Sequence, residues 1–194
     1  MRKIVSFMHV SLDGFVASTD EGFASLGWIS ISGDLFEYVE QRIQQTDTAL
    51  YGRITYQMME AYWPTAADKP NPTNHDIEHS RWYKTATKIV LSKTLEEKNH
   101  SNTKIISSNL SDEITKLKQG AGSEILVFGS PSATHALMEE NLIDEYWLFV
   151  NPILLGRGIP LFKNIKDRTA LTLVKSKIFA SGVVCLHYEL KRNQ

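Results

Sequence analysis

The most informative segment of the sequence begins Ser123-Glu-Ile-Leu-Val-Phe-Gly-Ser-Pro-Ser-Ala-Thr-His-Ala-Leu-Met138, continues with Asn141-Leu-Ile-Asp-Glu-Tyr-Trp-Leu-Phe-Val-Asn-Pro152, and ends with Leu155-Gly-Arg-Gly-Ile-Pro-Leu-Phe162. Its apolar run at 125–128 is typical of a buried strand, and the apolar residues after Gly129 recur at helical spacing. A second apolar run follows at 146–150. The stretch therefore predicts a β-α-β unit whose two strands lie parallel within one sheet.

The turn at Gly129-Ser130-Pro131 joins the first strand of this unit to its helix. We expect the backbone N–H groups of Ser132, Ala133 and Thr134 to have no partner inside the helix, so that they face an anion. A phosphate is the obvious candidate, since ligands of parallel sheets bind at this edge. An ordinary turn without a ligand would use glycine and proline as well, so the turn alone leaves both readings open.

The rest of the chain repeats the alternation of strands and helices. Apolar runs predict strands at 4–10, 48–51, 88–91 and 103–106, and helical spacing predicts helices at 34–43, 55–61 and 111–118, with a short helix around 81–83. Alternating runs at 171–179 and 183–190 predict a C-terminal antiparallel hairpin. We therefore predict an α/β domain with a mixed, mainly parallel sheet, and a single domain over residues 1–194.

Composition excludes several classes of partner. The formal net charge is −1, from 21 basic and 22 acidic side chains, which gives no positively charged surface for nucleic acid or for an anionic membrane. The single cysteine, Cys185, lies in a predicted strand and is interpreted as a buried structural thiol. With neither a signal peptide nor a membrane-spanning run, we expect a cytoplasmic protein.

Two further strand ends carry residues suited to a nucleotide. Gly52-Arg53-Ile-Thr55 offers a helix start and a guanidinium, and Ser92-Lys93 offers a hydroxyl and a cation. A solvated surface arginine or lysine remains the alternative for each. The dinucleotide fingerprint Gly-x-Gly-x-x-Gly is absent, because Gly156-Arg-Gly158 precedes Ile-Pro rather than a helix.

Asp34 has two interpretations. It stands at a predicted helix start with Glu37 at capping-box spacing, which predicts a helix cap. It also follows a long loop that contains Trp28, where a carboxylate could bind the N–H edge of a heterocycle and manage a proton.

The segment His75-Asp-Ile-Glu-His79 matches the H-x-x-E-H pattern of a class of zinc metallopeptidases. It lies at a helix start after a loop rich in proline and asparagine, with no clear third ligand downstream. We interpret the match as accidental and expect no metal.

Five short motifs occur together in a recognisable order and cover nearly the whole chain. They resemble the dihydrofolate reductase superfamily, most closely the branch of the C-terminal reductase domain of the bifunctional riboflavin-biosynthesis deaminase-reductase. The motifs are Val10-Ser-Leu-Asp-Gly-Phe-Val-Ala17, Leu50-Tyr-Gly-Arg-Ile-Thr-Tyr56, Lys88-Ile-Val-Leu-Ser-Lys-Thr-Leu95, Ile125-Leu-Val-Phe-Gly-Ser130, and Leu142-Ile-Asp-Glu-Tyr146 with Pro152-Ile-Leu-Leu-Gly-Arg-Gly-Ile-Pro-Leu-Phe162.

This resemblance implies a three-layer α/β/α sandwich that binds NADPH and transfers hydride to a small heterocycle, with a homodimer as the expected assembly. Arg53 would bind the 2′-phosphate that selects NADPH over NADH. The cofactor-binding residues that it implies are Val16, Ala17, Gly52, Arg53, Thr55, Ser92, Lys93, Gly129, Ser130, Ser132, Ala133 and Thr134.

For the substrate, the resemblance implies contacts from Asp13, Trp28, Asp34 and Phe149, with Asp34 as the catalytic carboxylate. Phe149 stands where folate reductases usually have a threonine near the folate carboxylate, which disfavours folate itself. Ser130 stands where folate reductases have a second glycine, often after a cis peptide bond. The expected activity is that of an NADPH-dependent reductase of a pterin or ribosylaminopyrimidine; the alternative is a nucleotide-binding protein that has lost turnover.

Overall fold

The computed structural model describes residues 1–96, 102–165 and 167–191. Its strands are β1 (Ile4–Ser11), β2 (Phe15–Ala17), β3 (Thr48–Gly52), β4 (Thr87–Leu91), β5 (Thr103–Ile106), β6 (Ile125–Phe128), β7 (Glu145–Asn151), β8 (Ile159–Pro160), β9 (Leu171–Ile178) and β10 (Val184–Leu190). Its α-helices are α1 (Gly33–Gln44), α2 (Arg53–Tyr62), α3 (Asn74–Thr85), α4 (Leu110–Gln119) and α5 (Pro131–Glu139), and 3-10 helices span Gly22–Leu26 and Trp63–Asp68.

Eight strands form one sheet in the order β5-β4-β3-β6-β1-β7-β10-β9. The first six are parallel to one another, while β10 runs antiparallel to both β7 and β9. The mixed, mainly parallel sheet and the C-terminal hairpin are thereby confirmed. The β-α-β prediction is confirmed too, although β1 lies between β6 and β7 and pairs with both. Strands β2 and β8 form a small antiparallel sheet of their own.

Helices cover both faces of the sheet because successive strand residues point to opposite sides. Phe7 packs in a cluster with Leu35 of α1 and Trp82 of α3. The next residue, Met8, packs in a second cluster on the other face, with Ile114 of α4 and Leu137 of α5. The result is the predicted three-layer α/β/α arrangement.

Two helix starts differ from the sequence prediction. Helix α1 begins at Gly33 after Ser32, so the prediction that Asp34 caps it is wrong. The capping box belongs instead to α3, where the Thr73 side chain and the Asp76 side chain each accept from the other's backbone N–H. Helix α3 has 12 residues and is longer than predicted, because this cap starts it well before residue 81.

The single cysteine is buried, as predicted: Cys185 is 2% exposed, and burial raises the pKa of its thiol to about 12. Such a thiol is protonated at neutral pH and is a poor nucleophile. Within the described residues, no helix combines the length and the apolar character that crossing a membrane would require.

Candidate functional site

Two neighbouring strand ends are tied together by Ser130. The Gly52 N–H, at the end of β3, donates a buried hydrogen bond of 2.8 Å to Ser130 Oγ, just after β6. Ser130 is fully buried. A second glycine at this position would leave the Gly52 N–H without this acceptor, which gives a physical reason for serine here.

Gly52 also lies unusually close to the start of α5. A Cβ at Gly52 would stand 2.3 Å from Ser132 Oγ and 3.2 Å from Ser130 Oγ. The backbone of Gly52 has φ −82° and ψ 162°, which any residue adopts, so the lack of space rather than backbone conformation requires glycine. The two turns therefore form one tightly packed junction.

The start of α5 presents unpaired backbone donors at this junction. Ser130 is the N-cap and Pro131 the first helical residue, which has no N–H to lose. The Thr134 N–H donates to the Ser130 carbonyl over 3.0 Å, so the prediction of a free donor at Thr134 is wrong. The N–H groups of Ser132 and Ala133 precede this first intrahelical bond and have no partner within the helix.

No cis peptide bond occurs within the described residues, and Gly129-Ser130 is accordingly trans. Gly129 has φ +54°, in the left-handed region that glycine adopts readily. A glycine therefore suffices to turn the chain from β6 into α5.

Three residues that the sequence predicts to bind the nucleotide, Ser92, Lys93 and Arg53, lie around the same junction. Ser92 and Lys93 line a shallow groove together with Ser132 and Ala133, so the structure brings the ends of β4 and β6 together. Arg53 is the first residue of α2 and is exposed, and its Nη1 donates to Gln57 over 3.2 Å. Within the described residues, its other guanidinium donors have no partner and are available to a ligand.

A largely apolar cavity of about 270 Å³ opens on the other side of the junction. Val16 and Ala17 of β2 line it, together with Thr55 and Gly129. His75 and His79 of the H-x-x-E-H pattern also line it. Several residues that the sequence did not single out complete its wall: Phe7, Met8, His9, Leu26, Ile29, Leu35, Phe36, Met58, Met59, Trp63 and Phe128.

Histidines are the main titratable groups on this wall. Burial lowers the pKa of His9 to about 4, and its Nδ1 lies 3.3 Å from Asn151 Nδ2. Burial likewise lowers the pKa of His79 to about 3. Both imidazoles are therefore neutral at physiological pH.

Asp34 lies outside this cavity. Its Oδ1 accepts from the Leu35 N–H over 3.0 Å and its Oδ2 accepts from the Ala180 N–H over 3.1 Å, which ties α1 to the turn between β9 and β10. Hydrogen bonding with Ser32 and from Ala180 lowers the pKa of the exposed carboxyl. The following residues, Leu35 and Phe36, are the ones that reach the cavity.

The other predicted substrate residues are also engaged elsewhere. Asp13 accepts from Ser11 Oγ and from the backbone N–H groups of Leu155 and Gly156, so it fixes the loop between β7 and β8. The Trp28 indole donates to the Ser25 carbonyl over 2.7 Å. Phe149 is fully buried and stacks behind His9, with the ring centroids 5.0 Å apart. None of the three lines the cavity.

A second cavity of about 270 Å³ lies between the C-terminal end of α5 and the segment from Phe162 to Leu171. Helix α5 follows the carboxyl end of β6, so its far end lies toward the amino edge of the parallel strands. Ligands of such sheets bind at the carboxyl edge, which favours the first cavity as the functional site.

Comparisons with known proteins agree with this architecture. The family model described as the RibD C-terminal domain matches residues 2–185. The uncharacterized protein YyaP of Bacillus subtilis is 31% identical over 189 residues, which cover 96% of this chain and 94% of YyaP.

Solved structures share the fold at lower identity. A protein assigned to riboflavin biosynthesis in Shewanella sp. PV-4 superimposes with a TM-score of 0.71 at 22% identity, covering 98% of this chain and 99% of the other. The diaminohydroxyphosphoribosylaminopyrimidine deaminase/5-amino-6-(5-phosphoribosylamino)uracil reductase of Thermotoga maritima gives a TM-score of 0.64 at 14% identity. That match covers 97% of this chain but 56% of the bifunctional enzyme.

Proposed function

This chain belongs to the RibD C-terminal domain family, and on that premise we propose that it is an NADPH-dependent reductase that transfers hydride to a small heterocycle of the pterin or ribosylaminopyrimidine class. The observation that carries the proposal is the junction of Gly52, Ser130 and Ser132. It separates a groove that carries several hydroxyl groups and the Lys93 ammonium from a largely apolar cavity. A nicotinamide dinucleotide is divided in the same way. Its phosphates and riboses are polar, and its nicotinamide ring is flat and less polar.

The donor groups present fit such a cofactor. The free N–H groups of Ser132 and Ala133 at the start of α5 suit a pyrophosphate. Gly52 has no side chain, and the Ser132 hydroxyl beside these donors occupies the space that a Cβ would need. Ser92 and Lys93 on the groove suit a ribose, and the exposed guanidinium of Arg53 suits a 2′-phosphate, which it can bind through forked hydrogen bonds.

Bound NADPH would supply the hydride, and the chain's own residues would form the environment of the reacting rings. Val16, Ala17 and the apolar cavity wall exclude water from the ring that gives and the ring that receives the hydride. Histidine side chains that burial keeps neutral can exchange hydrogen bonds with a heterocycle without placing a net charge in the cavity. The catalytic role of Asp34 stays a prediction. Its carboxylate accepts from the Ala180 N–H, and its lowered pKa keeps it ionised at neutral pH.

The cofactor is tested by the variant Arg53→Ala. We expect NADPH affinity to fall about tenfold to hundredfold and NADH affinity to change little, because a charge-assisted contact is worth about 1.5–3 kcal/mol. Affinities are measured by energy transfer from the tryptophans to the reduced nicotinamide. Gln57→Ala is the matched control, since it removes the partner of Arg53 but keeps the guanidinium. Equal affinities for NADPH and NADH in the wild type would contradict the proposal.

Turnover is tested separately by NADPH oxidation with dihydrofolate and with the ribosylaminopyrimidine substrate of riboflavin biosynthesis. The variant Asp34→Asn decides the role of that residue. Normal turnover in Asp34→Asn would leave Asp34 with the structural role that its contact with Ala180 indicates. Binding of NADPH without oxidation in the presence of either substrate would instead favour a nucleotide-binding protein.

A further inference from the structure

Three residues on two helices converge beside the apolar cavity. His75 and His79 lie one turn apart on the same face of α3, and Glu40 faces them from α1. Glu40 Oε2 lies 3.2 Å from His75 Nδ1 and 3.9 Å from His79 Nδ1. Glu78, the carboxylate of the sequence pattern, is exposed instead. The missing third ligand therefore comes from 35 residues upstream rather than from the downstream chain.

His79 is the observation that points to a ligand. Its side chain is 2% exposed, and within the described part of the chain neither ring nitrogen has a hydrogen-bond partner. Its Nδ1 faces Glu40 at a distance too long for a hydrogen bond. A buried polar group normally finds a partner, because leaving it unpaired costs about 1–3 kcal/mol.

We propose that Glu40, His75 and His79 bind a divalent transition-metal ion of the zinc class on the wall of the cavity. The three ligand atoms lie within 4.8 Å of one another. Tetrahedral coordination with bonds of about 2.0–2.2 Å places ligand atoms about 3.3–3.6 Å apart, so small side-chain movements complete the site. Two imidazoles and one carboxylate suit zinc or iron rather than magnesium or calcium.

Surrounding groups fit this assignment. Gln44 donates to Glu40 Oε1 over 2.8 Å, which orients the carboxylate so that Oε2 faces the Nδ1 atoms of His75 and His79. The Trp63 ring covers His79 with centroids 3.8 Å apart, and Phe36 covers His75 at 4.4 Å. Because both histidines line the cavity, the remaining coordination position would open toward whatever the cavity holds.

A second cluster of comparable residues provides a control within the same molecule. Glu145, His187 and Glu189 also lie within 4.8 Å of one another. There, however, the Lys3 ammonium already pairs with both carboxylates. Because the Lys3 ammonium already neutralises these carboxylates, we expect this cluster to bind no metal.

The test is to strip the untagged full chain of metal with a chelator and then to measure Zn²⁺ binding by isothermal titration calorimetry at pH 7. We expect one Zn²⁺ per chain, and Co²⁺ at the same site should give the absorption of tetrahedral coordination. His75→Ala and Glu40→Gln should each weaken Zn²⁺ binding at least about 100-fold, since loss of even an outer partner of a ligand costs about 10–100-fold. His187→Ala should leave the affinity unchanged.

Circular dichroism and NADPH binding on the same samples separate a lost metal site from a lost fold. His79→Ala removes a buried side chain and could prevent folding. In that case His75→Ala, at a partly exposed residue, and the isosteric Glu40→Gln show whether the metal site exists. Failure of the wild type to bind Zn²⁺, or equal affinity in the wild type, His75→Ala and Glu40→Gln, would overturn the proposal. Either result would leave the cofactor proposal untouched, because NADPH binding is read out independently.

Discussion

Gly52 is the residue at which the strand ends of the site approach each other most tightly. The space for a Cβ is occupied by the hydroxyl of Ser132, and the Gly52 N–H is held by Ser130. Residues that follow another strand therefore require glycine at position 52. One of them, Ser130, lies 78 residues further along the chain.

We expect Gly52→Ala to weaken NADPH binding about tenfold, or about 1.4 kcal/mol. The new methyl group would stand 2.3 Å from Ser132 Oγ and force that side chain into the space before the start of α5. The measurement is NADPH affinity, with urea unfolding to follow the accompanying loss of stability.

The double variant Gly52→Ala/Ser132→Ala is the matched control for that prediction. Removing the Ser132 hydroxyl removes the closest contact, so the double variant should bind NADPH more tightly than Gly52→Ala alone. If Gly52→Ala binds like the wild type, the junction does not limit access to the cofactor.

The sequence predicts which residues stand at strand ends, but not which distant residues contact them. Gly52, Ser92 and Ser132 were predicted near one ligand because each follows an apolar run, and the structure does bring them together. Asp34 was misplaced because spacing to Glu37 cannot distinguish the first helical turn from the cap. Its actual partner, Ala180, lies 146 residues away.

Among elements, local patterns predicted which segments form strands and helices, but not which helices face each other. The pattern at His75 and His79 was visible, yet Glu40 lies on α1, and only the packing of α1 against α3 brings it near. His9 was missed for a similar reason. It reads as one polar residue in an apolar strand, and its place on the cavity wall depends on the neighbouring helices.

One group of charges connects three strands of the sheet. Glu145 at the start of β7 is buried and pairs with Lys3, just before β1, and with His187 of β10, whose Nε2 lies 2.7 Å from Glu145 Oε2. Burial alone would raise the pKa of Glu145, but the hydrogen bonds from His187 and Lys3 outweigh it and hold the pKa at about 2, against an ordinary 4.5.

We expect Glu145→Gln to lower the free energy of unfolding by about 2 kcal/mol at pH 7, because the largely buried His187 imidazole and the half-exposed Lys3 ammonium lose their buried, charged acceptor. A carboxyl with a lowered pKa in the folded state stabilises the fold above pH 4.5, and this contribution is lost as the pH falls toward 2. The difference between wild type and variant should therefore shrink below pH 4.5, as urea unfolding at a series of pH values would show. A constant difference across that range would contradict the assignment.

The C-terminal hairpin forms one edge of the sheet. Strand β9 bounds the eight-stranded sheet, and its backbone groups on the outer side lack a neighbouring strand among the described residues. Leu173, Val174 and Ile178 of this strand are 50%, 49% and 75% exposed. By contrast, Tyr146, Trp147 and Phe149 of β7 are all buried in the core.

We expect the chain to form a homodimer through β9, because an exposed apolar edge strand tends to pair or to be covered. Ile178→Glu combined with Val174→Glu should convert the dimer to a monomer, which light scattering after size-exclusion chromatography would measure. Leu12→Glu is the control, since it places the same charge on an exposed apolar residue outside β9. A monomeric wild type, or a dimer that survives the β9 changes, would contradict this assembly.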